Sequence, residues 1–208
     1  NWDKLYAANN CSYGLKKDKT LYSWGTNSYG QLGLGDFNNY YSPQQIVSLN
    51  NCVYFSCKSF HCAAIKEITP SFTFSPGALY TWGFNNAGQL GTGTTNNENS
   101  PVQVGSLTNW KDVRCGRRQT IAIKTDGTLW SWGYGNTASL GLGNITSYSS
   151  PKQVGALTNW LSVSCGKYHT VSIKTDGTLW SWGNNGQGQL GLGNTTYYSS
   201  PKQVGALT

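Results

Sequence analysis

The chain has no methionine, two histidines and few charged residues, with Asp, Glu, Lys and Arg making up 11% of its 208 residues. So few histidines and carboxylates predict neither an acid–base pair for catalysis nor a bound metal or cofactor. No apolar run approaches the roughly eighteen residues that a membrane-spanning helix needs. No segment keeps the 3.6-residue apolar period of an amphipathic helix over three turns. The sequence therefore predicts a non-enzymatic protein built from strands.

Glycine, tryptophan and tyrosine are abundant, and they follow a period. A Trp-Gly pair followed by a glycine-punctuated leucine occurs four times, and the marker tryptophans lie 58, 50 and 50 residues apart, at Trp24, Trp82, Trp132 and Trp182. A fixed period near fifty residues indicates stacked units that bury their apolar faces against each other. We therefore predict one repeat domain over residues 1–208, with repeats 1–50, 51–108, 109–158 and 159–208.

Each unit has the pattern of short strands joined by tight turns. In the fourth unit, residues 160–165 and 170–174 alternate between apolar and polar side chains. Asp176-Gly177 then fits a hairpin turn, because glycine adopts positive φ at little cost. Residues 179–182 form the return strand. The sequence predicts an all-β domain whose units are blades of four antiparallel strands.

The motifs Cys165-Gly166-Lys167-Tyr168-His169-Thr170 and Trp182-Gly183 through Gly191 resemble the repeats of the regulator-of-chromosome-condensation family, in a bacterial or phage-like variant. The resemblance covers the whole chain, although Ala7-Ala8 and Gln119 depart from the pattern. It implies a β-propeller, usually of seven blades. Four repeats would then be part of a larger ring and a fragment of a longer chain. The alternative is a four-unit protein whose ring closes by pairing with another copy.

The histidines and cysteines favour structural roles. His61 and His169 share one repeat position, as expected for a framework residue. Three cysteines share another position, which suggests small buried side chains; they are Cys57, Cys115 and Cys165. Cys11 and Cys62 fall at neighbouring repeat positions, so a disulfide between them stays open, as does the state of Cys52.

The second unit is eight residues longer than the third and fourth, and the extra length falls between Lys66 and Leu79, in the segment Ile68–Pro76. Prolines frame Phe72 and Phe74 there, so we predict a projecting contact loop. The alternative is that both rings pack on their own blade. Tyrosines three residues before the repeat proline are a second candidate binding set, and they are Tyr40, Tyr148 and Tyr198.

The third and fourth units share 34 of 50 positions, and their differences cluster in two short segments. We expect Arg117–Gln119 and Tyr134–Ser139 to be exposed loops, because surface loops tolerate change that a core does not. Arg117, Arg118 and Tyr168 are accordingly predicted binding residues.

The net charge of +7 raises the possibility of nucleic-acid binding. Its basic groups lie at a predicted hairpin tip (residues 16–19) and in one unit only, so a nucleic-acid partner is not expected. The preferred function is a structural, adhesive or protein- or glycan-recognition module of a larger extracellular, cell-surface or virion protein, rather than a nuclear one. The alternatives are a guanine-nucleotide-exchange or chromatin-binding propeller, and a secreted protein inhibitor of an enzyme.

Overall fold

A computed structural model describes residues 1–67 and 77–205. Within them, the chain forms four consecutive antiparallel meanders of four strands, which we call blades 1 to 4. Blade 1 contains β1 (Trp2–Ala8), β2 (Cys11–Lys16), β3 (Leu21–Gly25) and β4 (Tyr40–Gln45). Blade 2 contains β5 (Cys52–Lys58), β6 (His61–Glu67), β7 (Gly77–Gly83) and β8 (Glu98–Gln103). Blade 3 contains β9 (Trp110–Cys115), β10 (Gln119–Lys124), β11 (Leu129–Gly133) and β12 (Tyr148–Gln153). Blade 4 contains β13 (Trp160–Cys165), β14 (His169–Lys174), β15 (Leu179–Gly183) and β16 (Tyr198–Gln203). The prediction of an all-β chain with four strands per unit is confirmed.

Helical structure in the described residues is limited to one 3-10 turn, Val47–Leu49. No helix there is long and apolar enough to cross a membrane.

The hairpin predicted at Asp176-Gly177 joins β14 to β15. Gly177 has φ +81°, and the Asp176 carboxylate accepts hydrogen bonds from the backbone N–H and the hydroxyl of Thr178, at 2.9 and 2.6 Å. This carboxylate fixes the turn, as aspartate commonly does two residues before a backbone donor.

The first strands of successive blades contact each other, β1 with β5, β5 with β9 and β9 with β13. In every blade the later strands then follow outward in chain order. The first strands are therefore the innermost and the fourth strands the outermost. This is the arrangement of propeller blades around an axis.

The marker tryptophans hold adjacent blades together. The rings of Trp82, Trp132 and Trp182 are fully buried between blades. Each indole N–H donates a 2.9 Å hydrogen bond to a backbone carbonyl of the preceding blade, in the loop before that blade's outermost strand. Large aromatic rings supply most of the apolar area in such an interface.

The shared repeat position predicts that all four marker tryptophans are buried at equivalent places, and for Trp24 this prediction is wrong. Trp24 is only partly buried, because none of the described blades packs against that side of blade 1. Leu5 in β1 is 71% exposed, whereas Val113 at the equivalent position of blade 3 is fully buried. Blade 4 exposes the other side of such an interface. Its Leu179 is 40% exposed, whereas Leu129 at the same repeat position of blade 3 is fully buried. The two end blades thus present apolar surfaces that the inner blades bury.

The two variable segments are only partly the exposed loops that were expected. Arg117, Arg118 and Tyr134 do lie in turns or loops, but Gln119 begins β10 and is buried. Ser139 is also fully buried, because its carbonyl accepts hydrogen bonds from Trp182 and Thr170 of blade 4. The third expected loop, Ile68–Pro76, lies outside the described residues.

All six cysteines are free thiols. Cys11 and Cys62 do lie near each other, but each has its sulfur close to the Tyr13 hydroxyl, at 3.4 and 3.0 Å, and no disulfide joins them. Burial raises the pKa of both thiols. Cys115 is buried as expected, whereas Cys57 and Cys165 are half-buried.

Candidate functional site: the loop face

Because the strands alternate in direction, each blade has two ends. One end carries the turn between the first and second strands and the long glycine-rich loop between the third and fourth strands. We call this end of the blades the loop face; in blade 3 it comprises residues 116–118 and 134–147. The opposite end, the hairpin face, carries the turn between the second and third strands and the link to the next blade.

Backbone hydrogen bonds bring two repeat positions together on the loop face. The residue before the second strand accepts from the residue that follows the marker Trp-Gly pair: Phe84 N–H donates to Phe60 O at 2.9 Å, and Tyr134 N–H to Arg118 O at 2.8 Å. The intervening Gly133 has φ +101°, and a Cβ there would meet the Arg118 carbonyl at 2.4 Å. The glycine of the motif is therefore required by this close approach.

Three aromatic rings pack together where blades 1 and 2 meet. The Tyr29 ring, from the long loop of blade 1, lies 5.1 Å from the Phe60 ring and 4.8 Å from the Phe84 ring. All three side chains are half-buried. Aromatic pairs at these separations stabilise their own arrangement and leave ring surface for a ligand.

Blade 3 adds two arginines to this aromatic group. The Arg118 guanidinium lies 6.0 Å from the Phe84 ring centre and 5.9 Å from that of Tyr134. Arg117 reaches blade 4, where it lies 5.5 Å from the Tyr168 ring centre and donates a hydrogen bond to the Tyr168 hydroxyl. Cation–π contacts of this kind contribute about 0.5–1 kcal/mol at exposed sites and hold the guanidinium over the ring.

These side chains form two groups in contact, which the adjacent residues Arg117 and Arg118 join into one row across all four blades; we call it the aromatic–cationic row. It consists of Tyr29, Phe60, Phe84, Arg118, Tyr134, Arg117 and Tyr168. Aromatic residues and arginine are the types that most often dominate binding energy at protein interfaces. Their contacts within the row restrict their rotamers before a partner arrives, which reduces the entropic cost of association.

A cleft of about 370 Å³ lies beside the row, between the long loops of blades 2 and 3. Arg118 and Tyr134 form one side, and the other lining residues are small and polar, among them Asn136, Ser147 and Ser149. The cleft therefore offers hydrogen-bonding groups next to a positive charge. It suits a polar or acidic side chain from a partner.

The structure brings three of the predicted site residues together, namely Arg117, Arg118 and Tyr168. The predicted tyrosine set does not converge, because Tyr40, Tyr148 and Tyr198 begin the outermost strands of three different blades. The Tyr40 hydroxyl donates to Asp36 at 2.7 Å, and this hydrogen bond raises the tyrosine pKa and lowers that of the carboxylate. Each of these tyrosines bonds within its own glycine-rich loop. Phe72 and Phe74 lie outside the described residues.

Sequence reasoning missed Tyr29, Phe60 and Phe84. A signal for Phe60 was present, since Phe60, Arg118 and Tyr168 occupy the same repeat position immediately before the second strand. Phe84 and Tyr134 likewise share the position after Trp-Gly. The blade framework does not need large side chains at these two positions. Their presence there therefore indicates a binding surface.

Asp126, Asp176 and His61 each have a hydrogen-bond partner within the blades. Asp126 accepts hydrogen bonds from Thr128, in the same way as Asp176 from Thr178. His61 Nε2 lies 3.1 Å from the Thr120 hydroxyl across the interface of blades 2 and 3, and burial lowers its pKa to about 4. In the described part of the chain, no three His, Cys, Asp or Glu residues converge as a metal site.

The basic residues do not form one patch. Arg114 lies in the innermost strand β9 and is bonded to Asp112 at 2.6 Å and to the Tyr54 hydroxyl at 3.0 Å. Lys19, at the hairpin face, is paired with Glu67. Among the described residues, Arg117, Arg118 and Lys167 lie on the loop face with their charge near neutral aromatic rings.

The blades, their interlocking tryptophans and the loop face define the class of this protein as a β-propeller of repeated four-stranded blades. The family model of the regulator of chromosome condensation (RCC1) repeat matches residues 18–65, 76–123, 126–173 and 176–208. The chain belongs to the RCC1-repeat family. Each full-length match runs from the third strand of one blade into the second strand of the next, so the sequence repeat spans two blades.

Curated relatives share about a third of the aligned residues. The human E3 ubiquitin-protein ligase HERC2 is 33% identical over 126 residues, covering 59% of this chain and 2% of that protein. The ultraviolet-B receptor UVR8 of Arabidopsis thaliana is 37% identical over 105 residues, covering 50% of this chain and 22% of the receptor. The chain thus spans a small part of the relatives it matches. Human, mouse, rat and plant relatives give no support to a bacterial or phage-like variant.

Two solved structures have the same fold. Human WBSCR16 superposes with a TM-score of 0.83 at 24% identity, over 99% of this chain and 53% of that one. Prp20p of Saccharomyces cerevisiae superposes with a TM-score of 0.82 at 19% identity, over 100% of this chain and 51% of that one. Both propellers are about twice as long as the four blades described here.

Proposed function

We propose that the chain is a non-catalytic protein-recognition module and that its partner binds the loop face. The observation that carries this proposal is the aromatic–cationic row, in which half-buried rings and two arginines from successive blades lie in contact. The framework of the blade needs none of these large side chains at those positions. Blade 1 has Asn10 and Thr26 there, joined by the same backbone hydrogen bond at 2.9 Å.

The charge of the row indicates the chemistry of the partner. Arg117 and Arg118 have neutral rings as neighbours, and the described residues give neither an ion pair. The whole chain carries +7. We therefore infer a partner surface with acidic side chains next to apolar ones, which the cations attract and the rings cover.

Relatives support a protein partner. Prp20p has been described together with its binding to Gsp1p and histones, and in another structure it is bound by Kap60. This likeness is one of fold, so the partner of the present chain is inferred from its own row. A glycan partner, or an adhesive role in a cell-surface or virion protein, rests only on the Asn-, Thr- and Tyr-rich loops.

Affinity capture with matched variants tests the proposal. Arg117→Ser/Arg118→Ser removes the two charges of the aromatic–cationic row, whereas Lys17→Ser/Lys152→Ser removes two exposed charges elsewhere. Proteins captured by the wild-type chain should be lost with the first variant and kept with the second. Both variants should stay folded, with melting temperatures within about 5 °C of wild type, because exposed or half-buried loop side chains contribute little to stability.

Equal loss of captured proteins with both variants would mean that capture depends on net charge alone. Retention of the captured proteins with both variants would show that the partner does not bind through the two arginines of the loop face.

Phe72 and Phe74 remain a proposed additional contact. Phe72→Ser/Phe74→Ser in the same capture tests it: loss of the same proteins at an unchanged melting temperature supports the contact, and full retention contradicts it.

Nucleotide exchange on a small GTPase is the second candidate, because Prp20p shares the fold and binds Gsp1p. Its test is the release of fluorescent GDP from purified Gsp1p. Acceleration by the chain at catalytic ratios supports exchange, and an unchanged release rate contradicts it.

We further propose that the two exposed end faces are covered by additional blades, supplied by a longer polypeptide or by a second copy. Leu5 on blade 1 and Leu179 on blade 4 lie at positions that the inner blades bury. Sedimentation of the 1–208 chain should show self-association that Leu5→Asp abolishes, if a second copy can fill this role. A monomer at all concentrations would assign the faces to other repeats of the polypeptide.

A further inference from the structure

One lysine recurs at the end of the second strand of every blade, and its surroundings differ between blades. These residues are Lys16, Lys66, Lys124 and Lys174. In blades 1 and 2 the ammonium group has a hydrogen-bond acceptor within the chain. Lys16 Nζ donates to the Tyr22 hydroxyl at 3.0 Å, and Lys66 Nζ to the Ser48 carbonyl at 3.1 Å.

In blades 3 and 4 the same ammonium lies between two tryptophan rings. Lys124 Nζ is 3.7 Å from the Trp130 ring centre and 5.0 Å from that of Trp110. Lys174 Nζ has the same relation to Trp180, at 3.6 Å, and to Trp160, at 4.9 Å. The rings attract the positive charge, but they do not accept conventional hydrogen bonds.

Lys124 is only 6% exposed and Lys174 only 5%. Among the described residues, neither ammonium makes a hydrogen bond or an ion pair, and the Asp126 and Asp176 carboxylates act on them only through space. Burial lowers the pKa of both lysines. Neither Nζ atom is among the fully buried polar atoms that lack a partner, so water reaches each ammonium, and an incoming carboxylate would replace that water with a charge-assisted hydrogen bond.

Lys124 opens into a groove of about 380 Å³ between blades 2 and 3. Most of its wall is apolar, with Val104, Leu107, Trp130 and Pro151, and Leu107 is 48% exposed. Of the residues that the structure describes, no acidic side chain and no member of the aromatic–cationic row lines the groove. It is thus a separate site with one cation at an apolar wall.

We propose that this groove binds an extended acidic peptide segment, with a carboxylate on the Lys124 ammonium and a neighbouring aliphatic side chain on Leu107 and Val104. A single ammonium matches the single charge of a carboxylate, and such charge-assisted hydrogen bonds are about twice as strong as neutral ones. A phosphate would use several donors, and the only basic side chain lining the groove is Lys124.

Blade 4 repeats the essential side chains. Lys174, Trp160 and Trp180 have the geometry of Lys124, Trp110 and Trp130. Val154 and Leu157 occupy the positions of Val104 and Leu107, and Leu157 is 47% exposed. The same set of side chains therefore recurs one blade further on, and we expect a longer acidic segment to reach both lysines.

Nuclear magnetic resonance of the tryptophan indole N–H groups tests the proposal, with resonances assigned by single Trp→Phe variants. The probe is an acetylated, amidated pentapeptide of alternating leucine and aspartate, and the control replaces each aspartate by asparagine. The acidic peptide should shift the Trp110 and Trp130 resonances, as well as those of Trp160 and Trp180. The asparagine peptide should bind at least about tenfold more weakly.

Lys124→Met keeps the aliphatic stem and removes the charge. It should abolish the shifts at Trp110 and Trp130 and leave those at Trp160 and Trp180, so the second site reports that the variant is folded. Lys66→Met is the control, because the Lys66 ammonium already donates to a carbonyl within the chain. It should leave the peptide-induced shifts of both tryptophan pairs unchanged. Equal binding of both peptides, unaltered shifts at Trp110 and Trp130 in Lys124→Met, or no shifts at millimolar peptide would each overturn the proposal.

Discussion

The indole N–H of Trp182 in blade 4 donates a 2.9 Å hydrogen bond to the backbone carbonyl of Ser139 in blade 3. The Thr170 hydroxyl donates to the same carbonyl at 3.0 Å. The glycine-rich loop of one blade is therefore fixed by two donors of the next. The equivalent bonds of Trp132 and Thr120 to the Gln89 carbonyl repeat this arrangement one blade earlier. The loops of the loop face are thus part of the interface that holds the blades together.

Trp182→Ala should lower the free energy of unfolding by about 3–5 kcal/mol, as truncation of a large buried aromatic does. Trp24→Ala is the matched control, because Trp24 has the same repeat position but no preceding blade and is only partly buried. Its loss should be clearly smaller. Urea denaturation of the two variants measures both values. Equal losses would show that burial against a preceding blade adds nothing to the free energy of unfolding at this position.

Gly141→Ala should destabilise more than Gly177→Ala, although both glycines have positive φ, +73° and +81°. A Cβ at Gly141 would meet Trp182 Nε1 at 2.7 Å, whereas one at Gly177 would have no atom within 4 Å. Both variants lose about 1 kcal/mol from backbone strain. Only Gly141→Ala adds an overpacking cost of about 1–3 kcal/mol. Thermal unfolding measures both losses. A lower melting temperature for Gly177→Ala than for Gly141→Ala would contradict the claim that Trp182 leaves no room for a Cβ at Gly141.

Stability should fall as the pH is lowered from 6.5 towards 4, in part because of His61. Its pKa is lowered from 6.5 to about 4 in the folded chain, so the fold favours neutral imidazole. The stabilisation from neutral His61 is fully present above pH 6.5. As the pH falls from 6.5 to 4, the free energy of unfolding drops by at most about 3 kcal/mol from this source.

His61→Gln should flatten that part of the pH dependence. Blade 3 already accommodates a buried glutamine, Gln119, at the equivalent position. A residual slope is expected from His169, whose pKa is also lowered by burial. Denaturation curves from pH 4 to 7 measure the difference, and identical slopes for the variant and wild type would exclude His61 as a source.

The repeat period was sufficient to predict the strands, the hairpin at Asp176-Gly177 and the burial of Trp82, Trp132 and Trp182. Burial that depends on a neighbouring blade was not predictable from one unit. Trp24 is less buried than expected because it lacks a preceding blade, and Ser139 is more buried because its carbonyl serves the next one. The third unit has Ser139 where the fourth has Gln189, and this sequence difference therefore reflects packing between blades as well as variation at the surface.

The aromatic–cationic row was only partly predictable for the same reason. Arg117, Arg118 and Tyr168 were found because two nearly identical units differ there. Tyr29 has no aromatic counterpart in the other units, and its contact with Phe60 arises only when blades 1 and 2 pack together.

Hydrogen–deuterium exchange on the chain with its captured partner tests the central claim most directly. The account predicts that the partner slows exchange in the loop-face turns 59–60, 116–118 and 166–168 and in the long loops 84–97 and 134–147. Exchange in the hairpin turns 125–128 and 175–178 should be unchanged. Protection confined to those hairpins, with the loop face exchanging as in the free chain, would contradict recognition through the loop face.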